Sequence, residues 1–249
     1  MQNTSLGTPK TIDMRRRVVL VAVALLAPGT LSARSFQSTE QGFVLRRGKE
    51  YICFDKGLWS AGIEGGKTLH WHMFLWHDKW TYETLPKGKT AAGPTLHGDG
   101  HLSMKGSFSA QGGSAPMRYA YHIQPVAEGV CVRCELEKSG PLNLDRGVWL
   151  HVLADTRTFH GTERVWISPS WHGPLAGHGA GNSDCFLLEL DRPRSLCLSG
   201  PGYRQVESER SSQGYVYRVN LLSGDFEPGK TAVVEYLVGF ADLRPKDGG

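Results

Sequence analysis

The chain has little helical signal. Beyond residue 34 no segment repeats apolar residues at a 3.6-residue period, and glycine takes 31 of 249 positions, so a mostly helical protein is excluded. Long apolar runs are scarce too: Val18 to Ala27 is about half of the roughly 20 residues a spanning helix needs. Phosphate-cradling Gly-x-x-x-x-Gly-Lys, a dinucleotide fingerprint and a Gly-x-Ser-x-Gly nucleophile elbow are all missing. Nor is there an excess of one charge. Of the formal net +4, residues 1–33 supply +3 through Lys10, Arg15, Arg16 and Arg17 against Asp13, leaving about +1 and no basic run. Nucleic acid is therefore not an expected partner.

Cysteine is sparse and odd in number: Cys53, Cys131, Cys134, Cys185 and Cys197. Cys131 and Cys134, three apart in an expected strand, point to opposite faces and cannot bridge each other. No second Cys-x-x-Cys completes a zinc site. A hairpin around Asp191-Arg192-Pro193-Arg194 brings Cys185 near Cys197, the pair best placed for a bridge, while the remaining thiols read as small buried hydrophobes.

What is present begins with a leader. Arg15-Arg16-Arg17, the apolar run and the small-residue exit through Ala33 have the n-, h- and c-region order of a signal peptide over residues 1–33. The expectation is an exported protein (periplasmic, cell-surface or secreted) with no membrane span once the leader is removed. Residues 34–42 are polar and expected to be loose, and 43–244 form one domain. Within it, short β-type runs alternate with Gly, Pro, Asn and Asp turn signals, giving about a dozen strands. This pattern predicts an all-β fold, a large antiparallel β-sandwich, with a closed or partly open β-barrel as the alternative. Loops are expected over Pro86–Pro94 and over Ser168–Asp184, the latter flanked by Trp166, Trp171, His172 and His178.

The stretch from Leu69 to Tyr82 is the densest in aromatic and imidazole groups. As a strand it puts Leu69, Trp71, Met73 and Leu75 on one face and His70, His72, Phe74 and Trp76 on the other. His70-x-His72 has the spacing by which a strand offers two metal ligands. No glutamate follows within Met73–Asp78, so the cupin metal pattern is not met and no metal or other cofactor is expected.

A second face comes from a hairpin read with Glu128-Gly129 as its two-residue turn. His122 then opposes Glu135, Gln124 opposes Arg133, and the next strand adds Trp149 and His151. Imidazole, guanidinium and carboxylate groups beside an indole suit a glycan or polysaccharide, whose ring stacks while its hydroxyls and uronate carboxylates are hydrogen-bonded. On this reading His122 and Glu135 are the catalytic or hydrogen-bonding pair. Arg118 and Arg133 are anion clamps, Trp149 is a stacking platform, and His151, His70, His72 and Trp76 are further ligand contacts. The leading reading is thus a carbohydrate-binding exported sandwich that binds, and in one form processes, an envelope or matrix glycan. The alternatives are a non-catalytic structural or interaction module and a metal-dependent enzyme using His70 and His72.

Overall fold

The computed structural model describes residues 35–77, 81–84, 89–109, 116–144, 146–168, 171–177, 180–181, 185–200, 206–212 and 214–242. The expected leader, His178 and Asp78-Lys79 lie outside these residues. The described residues all belong to one compact unit, Ala33–Gly249. No helix occurs among them, so none is long and apolar enough to cross a membrane.

In chain order the strands are β1 (Gln37–Thr39), β2 (Gly42–Arg47), β3 (Glu50–Asp55), β4 (Leu58–Ile63), β5 (Thr68–His77), β6 (Thr81–Thr84), β7 (Lys89–Leu96), β8 (Leu102–Ser109), β9 (Pro116–Val126) and β10 (Gly129–Lys138). Then come β11 (Gly147–Asp155), β12 (Arg164–Ser168), β13 (Trp171–Pro174), β14 (Ala180–Gly181), β15 (Cys185–Asp191), β16 (Arg194–Ser199), β17 (Val206–Arg210), β18 (Gly214–Leu222) and β19 (Thr231–Asp242). Three segments differ from expectation. Residues 37–39 pair as β1 beside the buried Phe36, Pro86–Pro94 contains the start of β7, and Ser168–Asp184 holds β13 and β14.

The strands form two antiparallel sheets. Sheet 1 runs β1-β2-β3-β4-β5-β11-β18-β17-β14, with β6 also on β5, and sheet 2 runs β13-β12-β15-β16-β19-β10-β9-β8-β7. The fold is therefore the all-β antiparallel sandwich the alternation predicts. Because side chains alternate, each strand sends every second residue into the space between the sheets. Leu69, Trp71, Met73 and Leu75 of β5 are at most 1% exposed, as are Tyr121, Ile123, Val132, Cys134 and Leu136 of sheet 2. Each of the aliphatic and methionine side chains among them contributes roughly 1.5–3 kcal/mol by leaving water.

An aromatic ladder spans the core. Phe54, Trp59 and Trp71 are register partners across β3, β4 and β5. Trp59 stacks on Trp71 at 5.7 Å, and Phe54 meets Tyr121 of the facing sheet edge-on at 5.7 Å. This packing fixes which face of β5 points outward.

The β9–β10 register departs from the sequence reading. The turn is Ala127-Glu128, so Arg133 opposes His122, Cys131 opposes Gln124 and Ala120 opposes Glu135. The shift is two residues, which leaves each side chain on its expected face. Gly129 is not a turn residue but the first residue of β10: a Cβ there would lie 1.9 Å from the carbonyl oxygen of Val238 on β19. Close backbone approach requires this glycine.

Candidate functional site

The residues assembled from sequence separate into two surfaces. After β10 the chain crosses between sheets, so β11 pairs with β5 and β18 in sheet 1 instead of joining β9 and β10. Trp149 and His151 therefore lie on the outer face of sheet 1 with His70, His72 and Trp76. His122, Glu135, Arg118 and Arg133 lie on the outer face of sheet 2, across the core.

On sheet 2 the expected His122–Glu135 pair is not made. Glu135 instead accepts from Arg133 Nε and Nη2 at 3.2 and 3.1 Å, and Arg133 Nη1 reaches Glu235 at 2.8 Å. Arg118 stands 3.9 Å from Glu137. Arg133–Glu135 lies within β10, whereas Arg133–Glu235 and Arg118–Glu137 join neighbouring strands; all are solvent-exposed pairs that add little to stability. A groove of about 410 Å³ lies beside them, lined by Lys105, Arg118, Ala120, Glu135 and Glu137. The carboxylates and guanidiniums on this face largely satisfy one another.

Sheet 1 is built differently. Directly opposed residues make a row His72–His151–Arg218 across β5, β11 and β18, flanked by Phe74–Trp149–Asn220 on one side and His70–Leu153–Val216 on the other. The His72 and His151 rings meet edge-to-face with centroids 5.0 Å apart. Beside them on the same face Phe74, Trp76 and Trp149 form their own cluster, 4%, 5% and 2% exposed. Trp76 meets Trp149 at 5.3 Å and Phe74 at 5.4 Å, both edge-on. The guanidiniums of Arg146 and Arg218 lie 4.7 and 5.8 Å from the Trp76 ring centre, within cation–π range.

Trp149 is thus not a stacking platform. Its ring is sealed, and its indole N–H donates to the Arg146 carbonyl at 2.6 Å. Trp76 is sealed in the same way. Through Phe74, whose ring lies 6.2 Å from that of His151, this cluster walls the imidazole pair on one side. Gly147 sets the start of this arrangement. With φ of +81° and a Cβ position 1.9 Å from the Leu222 carbonyl oxygen, it admits no side chain.

His70, two residues before His72 on β5, borders a groove of about 440 Å³ on the same outer face. Arg46, Tyr51, Ser60, Thr68 and Glu64 line it, a hydroxyl-rich wall with one cation and one carboxylate. The Tyr51 and Thr68 hydroxyls share a 2.6 Å hydrogen bond, and Arg46 lies 3.7 Å from Glu64. Cys53 at the floor has its thiol pushed up by burial, so it is inert packing. His70 reaches solvent along part of its ring, yet desolvation against the sheet lowers its pKa. The Asp155 carboxylate opposes that shift, and Arg157 adds to it. A neutral imidazole at neutral pH can both accept and donate hydrogen bonds.

No group of three or more metal-ligating side chains occurs among the described residues. Sequence reading found His70, His72 and His151 but joined the last to the wrong sheet. It missed Arg218, Arg146 and the groove residues Arg46, Tyr51, Ser60 and Thr68. Arg218 was detectable in principle, as a lone cation between Tyr217 and Val219 in a strong strand.

No protein-family model matches the chain, and no curated protein matches it in sequence. Solved structures do resemble it. A galactose mutarotase-like protein from Lactobacillus casei ATCC 334 superposes with a TM-score of 0.52 at 9% identity, over 80% of this chain and 99% of that one. A candidate aldose 1-epimerase from Escherichia coli K12 gives 0.50 at 9% identity, over 78% and 99%. The chain shares its β-sandwich fold with these two structures. At this identity the likeness concerns the fold alone.

Proposed function

We propose that this chain is an exported protein that binds a glycan or polysaccharide on the outer face of sheet 1, with His70, His72, His151 and Arg218 as its polar contacts. The observation that carries the reading is the His72–His151 pair. Two imidazoles are held 5.0 Å apart beside a sealed aromatic cluster and lead through His70 to a hydroxyl-lined groove. Hydroxyl-rich ligands need such mixed donors and acceptors at fixed spacing. Both structural neighbours carry names from sugar chemistry, which supports a saccharide over other polar ligands.

Processing of the bound sugar is the second reading, favoured by the same pair. One neutral and one protonated imidazole can take a proton from one oxygen and return it to another. The face of sheet 2 carrying His122 and Glu135 is less suited, because Arg133 already engages the Glu135 carboxylate and that of Glu235.

A glycan array on residues 34–249, followed by calorimetric titration of the best ligand, tests the proposal. The His72→Ala/His151→Ala double variant is expected to weaken binding at least about tenfold, the value of one or two lost hydrogen bonds, with an unchanged melting temperature. His122→Ala should bind as the parent does. Failure of every glycan to bind, or full binding by the double variant, overturns it. Polarimetry of freshly dissolved aldoses separates binding from turnover. For export, the expected outcome is an N-terminus at Arg34 in protein recovered outside the cytoplasm; an intact leader in the cytoplasmic fraction contradicts it.

A further inference from the structure

Cys185 opens β15 and Cys197 lies in β16, and their sulfurs are 3.7 Å apart. The register sets Cys185 opposite Ser199 and Cys197 opposite Leu187, so the thiols are diagonal neighbours on one face. That face is the outer one, since the alternate residues Phe186, Leu188, Leu196 and Leu198 are fully buried. Diagonal neighbours in an antiparallel pair stand about 7–8 Å apart at their backbones. A 3.7 Å approach therefore means that both side chains lean toward each other. The pair sits at the open end of the hairpin, far from its Arg192-Pro193 turn.

The other three cysteines contrast with this pair. Cys134 is sealed in the core, and Cys53 lies at the floor of the sheet 1 groove. Cys131 faces outward but is separated from Cys185 by the Leu237 and Ser199 positions of β19 and β16.

We propose that Cys185 and Cys197 are a redox-active dithiol, the site at which a small-molecule disulfide oxidant staples β15 to β16. The Cys197 thiolate attacks one sulfur of oxidised glutathione and expels a glutathione thiolate. The Cys185 thiolate then displaces the second glutathione from Cys197, closing the bridge. Two protein thiols lose two electrons and two protons, and one oxidised glutathione becomes two glutathione thiols. Drawing the sulfurs from 3.7 Å to a bond of about 2 Å asks the strands to approach slightly, which the open end of a hairpin allows. The order of attack follows from electrostatics: hydrogen bonds from Cys185 and Ser199 lower the Cys197 pKa, whereas burial raises those of Cys53, Cys131 and Cys134. Thiolate character decides which cysteine reacts first.

The test is thiol mapping on the folded chain. Reduced protein is equilibrated with oxidised glutathione, quenched in acid, alkylated and digested with trypsin. The expected product is one disulfide-linked pair of peptides, 165–194 with 195–204, because trypsin cuts after Arg194 but not at Arg192-Pro193. Cys185→Ser should instead leave Cys197 as a glutathione adduct, and the oxidised parent should melt above the reduced one. In denaturant the pairing should become unselective among the five cysteines. Separate alkylated peptides in the folded protein, a preferred bridge to Cys131, or equal selectivity in denaturant overturns the proposal.

Discussion

At the scale of single residues, His70 and Asp155 give the outer face of sheet 1 its pH behaviour. Desolvation first, then Arg157, holds the His70 imidazole below its usual 6.5, while Asp155 pulls it back up. Since the folded pKa lies below the unfolded one, the stability His70 contributes is complete above about pH 6.5 and is lost as pH falls through the folded value. Asp155 is pushed down to about 2, chiefly by hydrogen bonds from Arg157. Its contribution is present above the unfolded carboxyl value near 3.9 and disappears as pH falls toward the folded one. An NMR titration should place the His70 midpoint below 6.5, and Asp155→Asn should move it lower still; an upward movement contradicts this account.

At the scale of elements, the β9–β10 hairpin distinguishes two reasons for a glycine. If Gly129 served the turn, Glu128 would share the sensitivity to substitution. The structure makes Gly129 the point where β10 and β19 touch, with the Val238 carbonyl 1.9 Å from any Cβ. Glu128 is exposed; its carboxylate meets Arg47 at 3.4 Å, and its carbonyl accepts from the Phe240 N–H at 3.2 Å, a bond that alanine would keep. Gly129→Ala should therefore cost at least about 2 kcal/mol in urea unfolding, and Glu128→Ala less than about 0.5. Comparable costs at the two positions would restore the register with Glu128-Gly129 as the turn.

At the scale of the whole molecule, the sheets are held together by the core and by a polar clasp at its rim. Arg194 of β16 reaches Glu50 of β3 at 2.5 Å and Asp242 of β19 at 2.7 Å, joining sheet 2 to sheet 1. The Glu50 side chain is 13% exposed, so removing its partner strands a carboxylate that water cannot fully reach. Arg194→Ala is expected to cost about 1–3 kcal/mol, read as a melting temperature several degrees lower that added salt does not recover. A change within error would mean the clasp is solvated and the core alone sets the sheet pairing.

Composition and alternation alone determined that this is an antiparallel β protein and which face of most strands is buried. Leu69, Trp71, Met73 and Leu75 are legible as core because side-chain direction in a strand is local, with period two. The same locality made a two-residue register shift invisible, since an even shift preserves every face. Sheet membership is not local: whether β11 continues beside β10 or crosses to β5 depends on the competition between whole apolar faces for one core. The tertiary structure alone therefore decided that His151 stands with His72 and Arg218, that His122 and Glu135 lie across the molecule from them, and that Trp76 and Trp149 are a sealed flank instead of contact surface.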